Sequence, residues 1–426
     1  MMKIWKTAGM KGKRTDSHGV FSRNEIMLMG EVRSTTLLRL LGALAAGFLM
    51  ISCSLRVQQR LTQLDTPEHH TFAGVVLLNQ EKFADAGREF ELALRLDQEN
   101  SKAHAGTGLV KAYHGDFAGG FDAVNKAEKY ARSNEEKIFA LVGTIRVNNL
   151  SHATCLRIGT ECTSNDSWFK SSKKAFDQAV LIDPKAASVY YFMGESYLTV
   201  LDLEPAGRMF NRILDLNGDY VTEADGRWRL VQKIQRAMPE TMTGKKIALM
   251  ERITRADMAL LLVEEMKIEA LYALQTPRIF DKRLRDLEKM RTKTARPATA
   301  TDIARHPRRT DIEGVIRIGI RGLDLYPDGT FRPDEPLDRA SYAMMIEDIL
   351  IKVSDDHSLA KRYIGSPSPF IDLQIDHPYF NAVMLATSRR IMEAKDTASG
   401  AFAPLGPVEG ADALLMIRRM RDELRY

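Results

Sequence analysis

The chain has 426 residues, 44% hydrophobic and 27% charged, with a formal net charge of +5. Residues 1–52 hold eight Lys/Arg against three Asp/Glu, so the whole excess lies in that leader and residues 53–426 are neutral. A nucleic-acid reader needs its positive charge on the folded part, so the basic balance gives no reason to expect DNA or RNA as a partner. The length suffices for two or three domains with cores of their own.

Arg33 and Arg39 precede an apolar run, Leu40 to Ile51, that closes on Ser52-Cys53. The run is shorter than the roughly 18–20 apolar residues a membrane-spanning helix needs. A charged start, a short apolar core and a small residue before a cysteine resemble a bacterial lipoprotein signal. That resemblance implies cleavage before Cys53 and lipid on it, hence membrane attachment through a lipid anchor. Ser54 stands where an Asp would mark inner-membrane retention in enteric lipoproteins, which by the same resemblance implies the outer membrane and a chain facing the periplasm. The other reading is a short, uncleaved signal anchor. Residues 1–52 are thus read as leader and signal peptide, and 53–66 as a tether. A start at Met27 or Met29 gives a signal of ordinary length. Two cysteines remain, Cys155 and Cys162, an even pair in an oxidising compartment.

Gly74 and Gly108 lie 34 residues apart, as do Phe83 and Phe117, Ala93 and Ala127, and Phe176 and Phe210. A 34-residue period with glycine, aromatic and alanine at these offsets resembles the tetratricopeptide repeat. The resemblance implies a solenoid of helical hairpins, in which small residues let helices approach and aromatics fill the gaps. It divides 67–220 into four units, 67–100, 101–134, 135–186 and 187–220. Gly194, Tyr197, Ala206 and Phe210 of the last are nearest the repeat pattern. The third unit is eighteen residues too long. The excess reads as an inserted loop near Asn149–Asp166, between the unit's two helices. Cys155 and Cys162 fall inside it. A disulfide between them would staple the loop, with closure entropy of about 2–3 kcal/mol; two unpaired thiols are the alternative. By resemblance the concave groove binds a protein or peptide, here another envelope protein, and no residue names it.

The C-terminal part, 225–426, repeats differently. His306-Pro307 recurs as His377-Pro378, and Ile320, Phe331, Pro333 and Pro336 recur as Ile391, Phe402, Pro404 and Pro407, each 71 residues on. Pro327-Asp328-Gly329 is turn chemistry. Phe331 can plug a core beneath the turn, and Asp338 can cap a helix whose apolar face includes Ala340, Met344, Ile346 and Leu350. The stretch from Gly322 to Pro333, followed by Asp338-Arg339-Ala340-Ser341, resembles the S-layer homology domain. Ile253-Thr254-Arg255-Ala256-Asp257 matches the helix start of another copy, with no turn loop upstream and with 225–238, containing Trp228, as its first helix. A third copy keeps Phe370-Ile371-Asp372 and Phe402-Ala403-Pro404 but has Gly410 in place of the arginine. The region divides into a degenerate copy (225–275), a basic insertion (276–300) and copies 301–352 and 367–426. The resemblance implies one pseudo-threefold helical unit that binds cell-wall glycan or peptidoglycan through Arg255, Arg339, Asp328 and Gly329. Each arginine falls at a helix start, beside N–H groups that favour anions; the alternative is that each pairs with a nearby carboxylate. The insertion reads as a solvated helix and linker, or as a patch for anionic glycan or lipid headgroups.

No metal-hydrolase helix, nucleophile elbow or phosphate loop is present. Ser171 and Lys174 have S-x-x-K spacing without partner motifs, and Asp215 to Asp219 begins like a calcium loop but fails at Tyr220 and Gly226. His69 and His70 read as surface residues. The expectation is a mainly α protein: a tetratricopeptide solenoid followed by a helical S-layer-homology unit. It is expected to be non-enzymatic, with no cofactor and no metal, and to tether or scaffold the envelope. Two rivals stand beside it: an adaptor lipoprotein of a secretion or polysaccharide-export complex that binds no glycan, and a hydrolase whose site lies in the non-repeating residues.

Overall fold

The computed structural model describes residues 65–158, 167–275 and 299–424, all within one compact unit, Arg60–Tyr426. Cys53, Cys162 and residues 276–298 of the basic insertion lie outside the described residues. The fold is mainly α, and β pairing among the described residues is confined to the isolated bridges Thr254↔Pro336, Asp338↔Pro407 and Asp396↔Ala401.

Four helical hairpins come first, stacked as a helical-repeat solenoid. Helix α1 (Pro67–Asn79) pairs with α2 (Phe83–Leu96), α3 (Ser101–Tyr113) with α4 (Phe117–Tyr130), α5 (Asn134–Ile158) with α6 (Ser167–Ile182), and α7 (Ala187–Thr199) with α8 (Leu203–Leu216). Thr66, Asn100 and Asp116 start three of these helices by accepting N–H groups from His69, Ala103 and Gly119, which satisfies donors the helix itself leaves open. Phe90 is fully buried and wedged between Gly74 and Gly106; a Cβ at Gly74 would come within 2.6 Å of its ring. Gly194 and Phe210 repeat the arrangement at 2.7 Å. Each buried phenylalanine stabilises its junction by roughly 1.5–3 kcal/mol, and only glycine lets the facing helix approach that ring.

The third hairpin corrects one expectation. The excess residues do not open a loop at Asn149, because α5 continues as helix to Ile158. Asn149 there is tied to the next hairpin, and His152 to the second helix of its own. Asn149 Nδ2 donates to the Phe192 carbonyl at 3.1 Å, and its Oδ1 accepts from Ser196 Oγ at 2.7 Å. The His152 ring stacks on Trp168 with centroids 4.3 Å apart. Cys155, one turn further on, is disulfide-bonded. His70 is not a bare surface residue either: its Nδ1 lies 2.7 Å from Glu89 and its Nε2 3.0 Å from Asp65.

Helix α9 (Val221–Ala237) belongs to two cores. Ala224, Trp228 and Val231 pack with Phe210 and Ile213 of the last hairpin, whereas Ile234 and Ala237 enter the core of the C-terminal unit. The segment expected as the first helix of the degenerate copy, 225–238, thus reaches the C-terminal core through Ile234 and Ala237 while its Trp228 packs on the last hairpin.

The C-terminal unit contains α10 (Met242–Ala248), α11 (Arg255–Glu264), α12 (Ile268–Gln275), α13 (Arg309–Ile318), α14 (Arg339–Ser354), a short 3-10 turn (His357–Lys361), α15 (Phe380–Ser388) and α16 (Gly410–Glu423). The residues two positions before α11, α14 and α16 close a ring of main-chain hydrogen bonds. Leu337 N donates to Ile253 O at 2.9 Å, Val408 N to Leu337 O at 3.0 Å, and Ile253 N to Val408 O at 3.0 Å. Three equivalent helix starts thus radiate from one threefold-like junction. Thr254 caps α11 through a capping box with Asp257, and Asp338 accepts Ser341 N at 2.6 Å at the start of α14.

Candidate functional site

The turn ahead of α14 is braced from within and from below. Asp328 Oδ1 accepts from Thr330 N at 2.9 Å and from Thr330 Oγ1 at 2.6 Å. These hydrogen bonds, with Arg332 adding its charge, hold the exposed carboxyl at about 2. Gly329 takes φ +78°, which favours glycine, and its carbonyl accepts from Thr301 N at 3.1 Å. The Asp302 carboxylate receives Phe331 N at 2.9 Å and Arg332 N at 2.7 Å, the latter at φ +55°. Asp372 does the same for Phe402 N and Ala403 N, at 2.8 and 2.7 Å, with Ala403 at φ +57°. Phe331 and Phe402 are fully buried beneath their loops.

Arg255 and Arg339 both reach across to the loop of the following copy. Arg255 Nε donates to Phe331 O at 2.8 Å, Nη1 to Gly322 O at 3.1 Å and Nη2 to Asp324 O at 2.7 Å. Arg339 Nε donates to Phe402 O at 2.8 Å and Nη2 to Glu393 O at 2.6 Å. Each guanidinium also lies over the phenylalanine it brackets, 4.8 Å from Phe331 and 4.5 Å from Phe402. Arg255 is 6% exposed and Arg339 4%. Burial pushes both below the usual arginine range, with nearby carboxylates opposing it, and both stay cationic.

This geometry corrects two expectations about the arginines. Their helix starts do not present open N–H groups, because the neighbouring copy takes them. Arg255 N and Ala256 N donate to Glu335 O and Pro333 O, and Arg339 N and Ala340 N to Gly406 O and Pro404 O. Neither arginine has a carboxylate within ion-pair distance among the described residues, so the simple pairing reading fails too. Each acts as a clamp on main-chain carbonyls. Asp328 remains exposed and Gly329 half-buried at the tip of the loop that Arg255 clamps.

The third interface is built differently. Gly410 N donates to Met250 O at 2.9 Å, and α10 occupies the place of the absent first-copy loop. Glu265, 3% exposed, anchors α10 by accepting Glu240 N, Thr241 N and Thr241 Oγ1 at 2.9, 2.9 and 2.7 Å.

A cleft opens beside Arg339, and Lys233 and Arg236 of α9 help to line it. Sequence reasoning missed these two, since they precede the copy that carries the cleft and match no motif. No group of His, Cys, Asp and Glu among the described residues could hold a metal ion. No described helix is long and apolar enough to cross a membrane.

Among protein-family models, the S-layer homology domain matches residues 324–343. The match runs from the turn with Asp328 and Gly329, through the Phe331 plug, to the start of α14 at Arg339. This element points to an association with the cell envelope or cell wall. Comparison with curated proteins gives no match.

Proposed function

We propose that the protein is a non-enzymatic envelope lipoprotein that links the outer membrane to cell-wall glycan. In this reading Cys53 carries the lipid, the C-terminal unit contacts the wall, and the tetratricopeptide-like solenoid between them holds an envelope protein. The observation that carries it is the S-layer homology match at 324–343, whose loop is braced by Asp302 and clamped by Arg255. The apolar run ending at Ser52-Cys53 supports the anchor. The test is cosedimentation of the full chain with purified cell-wall sacculi. Pelleting that free wall fragments compete away supports the tether; a protein that stays in the supernatant rejects it.

One observation favours a second reading, that of an adaptor in a secretion or polysaccharide-export complex without glycan binding. Every nitrogen of Arg255 is held by a carbonyl, which is what a purely structural repeat would need. The same experiment separates the two.

A further inference from the structure

A groove runs between α8 and α9 on the solenoid's last hairpin. Helix α8 gives it Glu204, Arg208, Asn211 and Asp215, which share one face at helical spacing, and α9 gives it Trp228, Gln232 and Gln235. The two helices approach closely at Gly207, where a Cβ would come within 3.3 Å of Val231 Cγ1. The groove holds about 510 Å³, within the roughly 300–1,000 Å³ of small-molecule sites. Glu204 and Asp215 stand eleven positions apart, about 16 Å of helix, which is longer than a single sugar ring.

Its lining carries no net charge, since Glu204 and Asp215 balance Arg208 and Arg212. Glu204 pairs with Arg208, and Asn211 Nδ2 donates to Asp215 at 3.5 Å. What remains is one indole and three amides. Trp228 is half-buried: it packs with the core of the last hairpin and also lines the groove. Gln232 Nε2 donates to Gln235 Oε1 at 3.3 Å. That bond leaves Gln235 Nε2 as a donor, and Gln232 Oε1 and Asn211 Oδ1 as acceptors, without a protein partner among the described residues. An amide both donates and accepts, as a hydroxyl does. The negative face of an indole attracts the weakly positive hydrogens of C–H bonds.

We propose that this groove is a carbohydrate site that takes a short neutral oligosaccharide. One pyranose lies with its C–H face on Trp228, while its hydroxyls accept from Gln235 Nε2 and donate to Gln232 Oε1 and Asn211 Oδ1. A charged ligand gains little here, because each charge of the lining is offset by its opposite. A peptide offers its side chains one at a time, whereas a pyranose presents a C–H face and a rim of hydroxyls together, which is what an indole flanked by amides matches. The site lies on the solenoid and uses neither Arg255, Arg339 nor the turn at Asp328, so it does not rest on the wall-binding reading above.

The test is titration of the full chain with chitotriose, read by tryptophan fluorescence in a Trp5→Phe, Trp168→Phe background, where Trp228 alone reports. Chitotriose should change the Trp228 emission saturably, and saturation-transfer NMR should show contact through the sugar's C–H protons. D-glucuronate and acetyl-trialanine amide should do neither. Replacing Gln232→Ala and Gln235→Ala together should leave the melting temperature unchanged, since alanine suits a helix at least as well. The same variant should bind chitotriose at least about fivefold more weakly, the effect of losing two hydrogen bonds. Trp228→Phe keeps an apolar ring in the core but shrinks the platform, and should weaken binding in the NMR assay. Unchanged Trp228 emission, parent-like binding by the glutamine or Trp228→Phe variants, or glucuronate or the peptide bound as tightly as chitotriose each overturns the proposal. Sacculi that pellet the chain while chitotriose leaves Trp228 unchanged would reject this groove and leave the wall-binding reading standing. Chitotriose binding with the stated mutant pattern but no sacculus binding would do the reverse.

Discussion

Gly410 lies so close to the Ile247 carbonyl that a Cβ at position 410 would overlap that oxygen. The equivalent positions in the other two copies hold Arg255 and Arg339, each clamping the loop of the next copy. The copy that lacks its arginine therefore faces the copy that lacks its loop, and the two losses belong to one interface. Helix α10 fills the vacated space, and only glycine lets α16 start against it.

Gly410→Ala should thus destabilise the C-terminal unit by about 1–3 kcal/mol or more, as overpacking against backbone does. Gly226 gives the control: it lies in α9 with nothing near its missing Cβ. Gly226→Ala should stabilise by about 0.5–1 kcal/mol. Urea denaturation of both variants decides, and a Gly410→Ala midpoint equal to that of wild type would refute the crowding argument.

Arg255→Ala should destabilise the C-terminal unit, because three carbonyls lose their donor and each buried acceptor left unsatisfied costs about 1–3 kcal/mol. Arg255→Lys should rescue little, since an ammonium cannot reproduce a fork spread over Phe331, Gly322 and Asp324. Hydrogen exchange at 322–331 should accelerate in both variants. Protection equal to wild type would show that the loop stands without its clamp.

His70 should make the first hairpin sensitive to pH. Burial alone would push its imidazole down, but hydrogen bonds to Glu89 and Asp65 outweigh burial and raise it above the ordinary 6.5. A group raised on folding contributes stability that is complete below 6.5 and is lost as pH rises through the folded value. The thermal midpoint should therefore fall as pH increases through that window, and His70→Gln should flatten this dependence. An NMR titration placing His70 at or below 6.5 would contradict the assignment.

Cys53→Ala should release the protein from membranes or leave it uncleaved. Mass spectrometry of the mature N-terminus measures this directly. An unmodified N-terminus on membrane-bound protein would remove the anchor from the proposal.

The helical hairpins were legible because their determinants are short-range and typed by residue. Gly194 with Phe210, and Pro327-Asp328-Gly329 ahead of a capping Asp338, each need particular side chains at set spacings. What stayed hidden depends on partners far along the chain or on backbone atoms. Asn149 reads as a loop residue until Ser196, 47 positions on, is beside it. Arg255 reads as an anion ligand because its acceptors, up to 76 residues away, are carbonyls that every residue carries. Lys233 and Asp412 share no motif, only a fold that brings them to 2.6 Å.

Helix α9 finally bears on how load would travel through the molecule. With Trp228 seated in one core and Ile234 in the next, the solenoid and the C-terminal unit meet without an intervening linker. Leu203 of α8 and Leu249 also pack against both cores, so tension between the two ends would be shared by α9 and these contacts and not absorbed by a hinge there. Neither half could be moved without unseating residues of the other, so the pair is fitted to act as one piece.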